Sequence, residues 1–556
     1  MNPSRMRYNE KLLLFVICVL SIVYRIFWIK LRSNFIVADE GIAGYLVKEI
    51  LEKKDFPLVT TYFRHLSVYG EAYFAWIIYL LLKDMFLSLK ITCIIQSFLV
   101  SLFLYLFLRS KGNHISNFIV FFPNIIMLDW TLTARAYGPA FLVISILLYT
   151  TLKGNWFIMG LFFGLGLWLF GIPALFLPVI LLVRVKSVLD IPMFILGILL
   201  GVFPLTLYNL CNLSAYRNFF PMYYALPTID DIILRMKGYL EGWIQFQCGL
   251  PKDFFPATVY KGKKMYFLLT SMNLIPPINS NLTPFWVLSI VITFLSIIFA
   301  FVKKTKISFI LSLPAIIILL TSPHDRFFSF ISIPHHVILS LGLSQIVCYL
   351  KSSKRNAVLF VLTITVIIYS VLSAFSNNKD CRGKYIHFQE EEYRDIHLKN
   401  FSCSGKNDNE FHMIKYILLK KGVRHIFSDF ALAHIINAYF YPELIASTAG
   451  STAIDMMPYA TQKVINSLSE EGDVAFIYSS MSKALYPITI IKKILGQDIT
   501  NRKISLRNYG IDIYILTKSE AKEFLEKTKS PLYNCFTQKL PFRRGFFECL
   551  KKISKS

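Results

Sequence analysis

Long apolar runs, separated by short loops rich in lysine and arginine, dominate the first 375 residues of the chain. Apolar runs of helical length predict helices that cross a lipid bilayer. The pattern predicts a polytopic α-helical membrane protein with about eleven transmembrane helices. Their approximate bounds are 12–28, 85–108, 116–130, 138–152, 156–169, 171–185, 190–210, 284–302, 307–322, 327–350 and 356–375.

A shorter apolar run at 72–82 decides the topology. It falls short of the roughly 20 residues that a spanning helix needs, so we interpret it as a re-entrant or interfacial helix on the outer side. The basic loops then all fall on one face, which the positive-inside rule assigns to the cytoplasm together with the N-terminus. The loops 32–84 and 211–283 and the C-terminal region are predicted to lie outside. The cytoplasmic set is Arg5, Arg7, Lys11, Arg109, Lys111, Lys153, Arg184, Lys186, Lys303, Lys304, Lys306, Lys351, Lys354 and Arg355.

Composition agrees with a membrane location. The chain has 556 residues, of which 55% are hydrophobic and 17% are charged. The formal net charge of +25 fits cytoplasmic loops rich in Lys and Arg, and an affinity for anionic headgroups or phosphate. No basic and aromatic binding module occurs, so we exclude nucleic acid as a partner. No A-x-A-like cleavage site follows the first run, which we therefore expect to stay in the membrane as a span.

The composition becomes polar and mixed after residue 375. Alternating segments at 423–429, 473–478 and 511–516 predict strands, and segments of helical periodicity lie between and before them. This alternation predicts a small α/β domain over 376–556, outside the membrane. It contains no nucleophile elbow, phosphate loop or dinucleotide fingerprint, so we interpret it as a lid, specificity or docking domain.

Asp39 and Glu40 follow the first span directly and are the most informative polar residues of the chain. Adjacent carboxylates at the mouth of a membrane helix are costly near hydrocarbon, so they indicate a function. Desolvation at that boundary makes a carboxylate more basic, which suits a general base. The alternative is a solvated loop in which Asp39 caps an amphipathic surface helix at 41–54.

Three further segments agree with the acidic doublet in their order along the chain and in their outer location. Segment 128–138 carries a group of polar residues after the third span. Segment 160–178 is rich in glycine and proline. Segment 325–334 opens a late span with an arginine beside aromatic residues.

Together these features resemble the GT-C superfamily of membrane glycosyltransferases, which includes protein O-mannosyltransferases and the aminoarabinose transferases acting on lipid A. The resemblance covers roughly residues 10–375. It implies a GT-C-like transmembrane domain over 1–375, in which segment 160–178 forms a closely packed and broken helix pair. It also implies transfer of a sugar from a polyprenyl-phosphate-linked donor to an acceptor hydroxyl at the outer face, by inverting direct displacement. A bacterial inner membrane is the expected location.

The resemblance also assigns roles to residues. Asp39 is the expected general base, and Glu40 is expected to orient the site or bind the acceptor. Arg135 and Arg326 are the candidates for the donor phosphate, because a guanidinium can grip phosphate with two hydrogen bonds. Each arginine has an alternative interpretation as a snorkelling residue at the membrane interface.

The other substrate-binding candidates have equally open alternatives. Tyr137 is a candidate contact to phosphate or sugar, and its alternative interpretation is a tyrosine of the interfacial aromatic belt. Asp129 helps to bind the acceptor, or is a structural partner of the arginine that follows it. His324 lies beside Arg326 and is a further candidate for the phosphate site. The first external loop contributes three candidates for lining the cavity, and a solvated loop explains them equally well: Arg64, His65 and Glu71.

Three alternatives remain open from the sequence. We assign no cofactor, although Asp39, Glu40 and Asp129 could supply oxygen ligands to a divalent cation. A transporter or flippase for a lipid-linked sugar is the main rival function, although no internal repeat of the kind common in transporters is found. An assembly protein of surface polysaccharide is the third. The acceptor, whether glycan, lipid or protein hydroxyl, and the sugar are left open.

Overall fold

The computed structural model consists of a bundle of apolar helices and a mixed α/β unit. It describes residues 8–31, 35–36, 38–58, 68–112, 115–184, 190–211, 272, 283–321, 329–347, 352–380, 396–397, 410–428, 430–448, 457–479, 502–506 and 511–528. The predicted external loop 211–283 lies almost entirely outside these residues.

Fourteen described helices precede the α/β unit. A short strand β1, Phe35–Ile36, follows α1, and 3-10 helices occupy Ile115–Phe121 and Ile172–Phe176. The helices are α1 Tyr8–Leu31, α2 Ala38–Lys53, α3 Glu71–Leu82, α4 Met85–Lys111, α5 Ile125–Leu132, α6 Tyr137–Lys153, α7 Trp156–Leu169, α8 Leu177–Arg184, α9 Asp190–Gly201, α10 Phe203–Cys211, α11 Thr283–Lys303, α12 Thr305–Thr321, α13 Ser332–Ile346 and α14 Ser352–Asp380.

Helical structure occurs in every stretch that was predicted to span the membrane. Among the described residues, 4 helices (α1, α4, α11 and α14) are long and apolar enough to cross a bilayer, and the pair Ile115–Phe121 and Ile125–Leu132, bent by 48°, raises the number to 5. Several shorter apolar helices, including α3, α6 and α7, fall below that length. The protein is therefore a multi-pass membrane protein, and the count of about eleven spans stays a prediction.

Side-chain caps explain where several of these helices begin. Asp84 accepts a hydrogen bond from the backbone N–H of Leu87 at the start of α4, at 2.9 Å. Asn124 and Asn155 cap α5 and α7 in the same way, each at 3.0 Å. These caps satisfy backbone donors that have no partner inside the helix, which matters most in a low-dielectric environment.

Glycine allows α7 and α9 to pack with their backbones almost in contact. A Cβ atom on Gly160 would lie 2.0 Å from the carbonyl oxygen of Phe194, and one on Gly197 would lie 2.2 Å from that of Phe157. Only glycine fits at such a distance, as at the small-residue interfaces of membrane helices. The closely packed and broken segment predicted at 160–178 is thus found as α7, the 3-10 turn and α8, with α9 as the partner of α7.

Two of the lysines predicted to face the cytoplasm lie together at one end of α4. Lys111, at the end of α4, and Lys304, between α11 and α12, lie within electrostatic range of each other. Both belong to the basic set that was predicted to face the cytoplasm, so their proximity agrees with that topology. The acidic doublet lies at the opposite end of α4, next to its second turn.

The α/β unit is built on a sheet of 5 strands in the order β4-β3-β5-β7-β6. Strand β3 pairs in parallel with β4 and β5, and β7 pairs antiparallel with β5 and β6. Strand β2 pairs instead with β1. The elements are β2 Ile396–His397, α15 Glu410–Lys420, β3 His425–Ser428, α16 Phe430–Phe440, β4 Ile445–Ser447, α17 Pro458–Asn466, β5 Asp473–Ser479, β6 Lys503–Leu506, β7 Ile511–Thr517 and α18 Lys518–Lys527. The domain bounds 1–375 and 376–556 stay predictions.

Candidate active site

The acidic doublet lies in the first turn of α2. The helix begins at Ala38, ahead of the predicted start at 41, so Asp39 lies inside the helix and does not precede it as a cap. The first turn of a helix favours negative charge, because its backbone N–H groups point toward the N-terminus. The side chain of Asp39 lies outside the described part of the structure, whereas that of Glu40 is described.

Glu40 forms a buried ion pair with Lys90 of α4. The two side chains are only 4% and 10% exposed, and the ammonium also lies 5.2 Å from the ring centre of Phe86. Bringing both charges out of water is costly, and their mutual attraction repays the cost only in a close, paired arrangement. The pair therefore fixes the first turn of α2 against α4.

Glu71 lies close to this pair and is fully buried in the first turn of α3. The thiol of Cys93, one turn beyond Lys90 on α4, lies within electrostatic range of Lys90, Glu40 and Glu71. The structure thus brings two predicted site residues, Glu40 and Glu71, to the same face of α4. Glu71 was predicted to lie in a loop, and its complete burial removes the solvated alternative for this residue.

Gln96 extends this polar surface along α4. It is 4% exposed, and neither atom of its side-chain amide has a hydrogen-bond partner among the described residues. A Cβ atom on Gly138, at the start of α6, would lie 3.0 Å from Gln96 Oε1 and 3.4 Å from Glu71 Oε1. A glycine at this position therefore leaves room for two oxygen-bearing side chains to approach each other.

The predicted group at 128–138 forms a compact turn beside this surface. Asp129 is buried on α5. The guanidinium of Arg135 is half-buried and lies 5.2 Å from the ring centre of Trp130, a cation–π contact. Ala136, between Arg135 and α6, has a left-handed backbone with φ +66°, which costs energy for a residue with a side chain. The strained turn directs the chain from α5 into α6.

Tyr137 lies in a buried aromatic cluster. Its ring centre is 4.4 Å from that of Trp130 and 4.6 Å from that of Phe170, with Phe330 at 6.0 Å. The side chain is 5% exposed, so it is not an interfacial belt tyrosine. A contact between Tyr137 and substrate stays a prediction.

Four predicted site residues lie outside the described part of the chain: Arg64, His65, His324 and Arg326. The described residues contain no group of three or more His, Cys, Asp and Glu side chains arranged to hold a metal ion. The divalent-cation alternative would also need Glu40, which is already engaged by Lys90.

Arg25 is a buried charge that was not among the predicted site residues. It is fully buried in the middle of the bundle. Its Nε donates to Ser97 Oγ at 2.9 Å, and its terminal nitrogens donate to Ser101 Oγ at 2.6 Å and to the carbonyl oxygen of Phe121 at 3.1 Å. Thr131 donates to the same Ser97 hydroxyl at 2.8 Å, which joins α5 to the network.

We expect Arg25→Lys to destabilise the protein. A single ammonium cannot reach acceptors on α1, α4 and the 3-10 helix together, so buried oxygens lose their donors at about 1–3 kcal/mol each. Thermal unfolding of the detergent-purified protein measures the loss. Lys11→Gln, at an exposed position of the same helix, is the control. Equal unfolding temperatures for Arg25→Lys and the wild type would contradict a structural role for the guanidinium.

The burial of Arg25 and Lys90 could have been predicted from the sequence. Each is a basic residue within an apolar run of spanning length, and such residues face the bundle interior and find polar partners. The sequence criteria applied above select charges at the ends of spans, so these two residues within spans were not predicted.

No protein-family model and no curated protein matches the chain. Among solved structures, the chain is similar to two crystal structures of ArnT from Cupriavidus metallidurans. The apo structure is 10% identical over 92% of this chain and 98% of that chain, with a TM-score of 0.47. The structure bound to undecaprenyl phosphate is 11% identical over the same shares, with a TM-score of 0.46. At these scores, the roles of residues in this chain rest on its own geometry.

Proposed function

We propose that the protein transfers a sugar from a polyprenyl-phosphate-linked donor to an acceptor hydroxyl at the outer face of the membrane. The observation that carries the proposal is the first turn of α2, where Asp39 lies beside a carboxylate that a buried ion pair fixes to the lysine of a membrane helix. A base and a cation held together at one end of a bilayer-spanning helix suit the transfer of a group from a lipid phosphate.

In the proposed step, the Asp39 carboxylate accepts the proton of the acceptor hydroxyl while that oxygen attacks the anomeric carbon. The bond between this carbon and the phosphate oxygen breaks, and the electron pair leaves with the polyprenyl phosphate. Direct displacement inverts the configuration, and no covalent enzyme intermediate forms. The departing phosphate gains negative charge, so nearby cations lower the barrier.

The cations that we assign to this phosphate are Arg135 and Arg326, as the resemblance implies, and Lys90. Lys90 contributes because an ammonium has three N–H donors, so that it can bind a phosphate oxygen while it stays paired with Glu40, next to Asp39. Electrostatic stabilisation is strongest where water is excluded, and the burial of Lys90 and Glu40 provides such a place.

The surface of α3 supports an approach from the lipid. One face of this helix exposes Phe74 (58%), Ile77 (50%) and Leu81 (79%), while the opposite face buries Glu71, Ala72 and Ala75. Apolar side chains on the outside and a carboxylate on the inside are typical of a helix between hydrocarbon and a polar site. A donor with an isoprenoid tail could thus lie along α3 with its phosphate toward the polar face of α4.

Mass spectrometry of envelope glycans from cells with and without the protein tests the proposal. We expect a sugar to be missing from one lipid, glycan or protein fraction of cells without it, and to return when the wild-type chain is supplied. Asp39→Asn, produced at the same level, should not restore it. Glycans that are identical in every fraction would contradict the transferase assignment.

A further inference from the structure

Helix α2 packs directly against the backbone of α16 in the α/β unit. A Cβ atom on Gly41 would lie 2.8 Å from the backbone carbon of His434, and one on Gly44 would lie 2.9 Å from Cβ of Ala438. Residue numbers rise together along the two helices, so the helices run in the same direction with their N-termini at the same end. The end of α2 that carries Asp39 therefore lies beside the start of α16.

Glu52 anchors the other end of α2 to the same unit. Lys463 of α17 donates to its carboxylate at 2.6 Å and Tyr459 donates at 3.3 Å, while the hydroxyl of Tyr441 forms a further, shorter hydrogen bond with it. The ring of Tyr441 also packs edge-on against that of Tyr45, with the centres 5.5 Å apart. A single carboxylate thus ties three side chains of the α/β unit to α2.

Glu52 and Lys463 are both charged at neutral pH. Burial alone would raise the pKa of the Glu52 carboxyl, but the hydrogen bonds from Lys463, Tyr441 and Tyr459 outweigh burial and lower this pKa. Burial alone would lower the pKa of Lys463, but the hydrogen bond and charge of Glu52 outweigh it and raise this pKa. The carboxylate contribution to stability is lost only as the pH falls through the lowered pKa, and the lysine contribution only as the pH rises through the raised pKa.

Two more contacts hold α2 and the strand that precedes it. Strand β1, just before the doublet, pairs antiparallel with β2, so that Phe35 lies opposite His397. On the membrane side, Lys48 donates to the hydroxyl of Tyr79 on α3 at 2.7 Å. Helix α2 is therefore enclosed, with α3 and α4 on one side and α16 and α17 on the other.

We propose that the α/β unit positions the helix that carries Asp39, and that Glu52 is the positioning residue through which it does so. The proposal rests on the function given above, since it assigns the α/β unit a part in the same reaction. Misplacing a reacting group by about 1 Å can cost about a hundredfold in rate, so a shift of α2 would lower the rate without removing any group from the site.

Glu52→Gln in the full-length protein tests this inference through two measurements. Hydrogen exchange of peptides covering 38–53 reports how firmly α2 is held, with peptides covering 85–111 as the internal reference. Transfer kinetics separate kcat from KM. Glu470→Gln is the matched control, because Glu470 forms an ion pair with Lys518 at 3.3 Å in the same unit, away from α2.

We expect Glu52→Gln to speed exchange in 38–53 but not in 85–111, and to lower kcat about tenfold or more with the donor KM unchanged. Lys463→Met should do the same, and the double variant should be little worse than either single change. Glu470→Gln should match the wild type in both measurements.

Two results would overturn the positioning role of Glu52. One is unchanged exchange in 38–53, and the other is faster exchange with an unchanged kcat. Loss of the proposed function would look different, because the wild type itself would then show no transfer. In that case the exchange data would still report the contact between α2 and the α/β unit, but no catalytic carboxylate would remain to be positioned.

Discussion

Asp39→Asn is expected to abolish sugar transfer while the protein folds and binds its lipid donor as before. An amide has the shape of the carboxylate but cannot accept a proton, and a general base contributes about 10²–10⁴-fold in rate. The first turn of α2 should tolerate the change, because Glu40 and Lys90 still fix it to α4. The kcat for transfer from a polyprenyl-phosphate sugar in proteoliposomes measures the loss.

Asp55→Asn is the matched control for this experiment. Asp55 follows the same helix, and its carboxylate accepts a hydrogen bond from the backbone N–H of Phe56 at 2.8 Å. The same chemical change outside the site should leave kcat at the wild-type value. An Asp39→Asn protein with the wild-type kcat for sugar transfer would contradict the assignment of Asp39 as the base. If the protein were instead a transporter of lipid-linked sugar, the Asp39→Asn variant should keep a measurable flux of that sugar.

Lys90→Met is expected to have the largest effect on stability. It leaves the Glu40 carboxylate buried without its ammonium, and breaking a buried ion pair from one side costs about 3–5 kcal/mol. Transfer should also fall, because Lys90 is one of the cations that we place beside the donor phosphate. Chemical unfolding of the purified protein measures the first effect, and transfer kinetics measure the second.

The double variant Glu40→Leu with Lys90→Met separates the two effects. Replacing both charges with apolar side chains removes the unpaired carboxylate, so most of the lost stability should return. Transfer should not return, because the cation is still missing and Glu40, which is expected to orient the site or bind the acceptor, is missing as well. Lys527→Met is the control: Lys527 pairs with Glu523 on an exposed helix face, where such pairs contribute about 0.3–0.5 kcal/mol. Full transfer by a stable double variant would exclude a catalytic role for Lys90.

Much of the helical architecture could be predicted because hydrophobic runs are local. The apolar runs, the short helix at 72–82 and the glycine-rich packing at 160–178 all correspond to helices of the structure. Strand β3 lies within a predicted segment, and β5 and β7 each extend one residue beyond theirs. Strands β4 (Ile445–Ser447) and β6 (Lys503–Leu506) were missed, because so few residues cannot display an alternation that distinguishes a strand from a loop.

The contacts that the site residues make could not be predicted from local sequence patterns. The doublet was recognised because two carboxylates follow an apolar run, but that Glu40 meets Lys90 depends on how α2 packs on α4. Glu71 was placed in a loop because polar residues precede it, whereas the structure buries it at the start of α3. The contact of Glu52 with Lys463 joins residues 411 positions apart, a separation that no local pattern predicts.

An experimental structure of the protein in a lipid nanodisc with bound polyprenyl phosphate would test the central claim most directly. We predict that the phosphate lies at the outer end of α4, with an oxygen about 3 Å from the ammonium of Lys90 and the Asp39 carboxylate facing the same space. A phosphate bound at the opposite end of the bundle, or an Asp39 side chain directed into open solvent away from any lipid-accessible groove, would contradict the account.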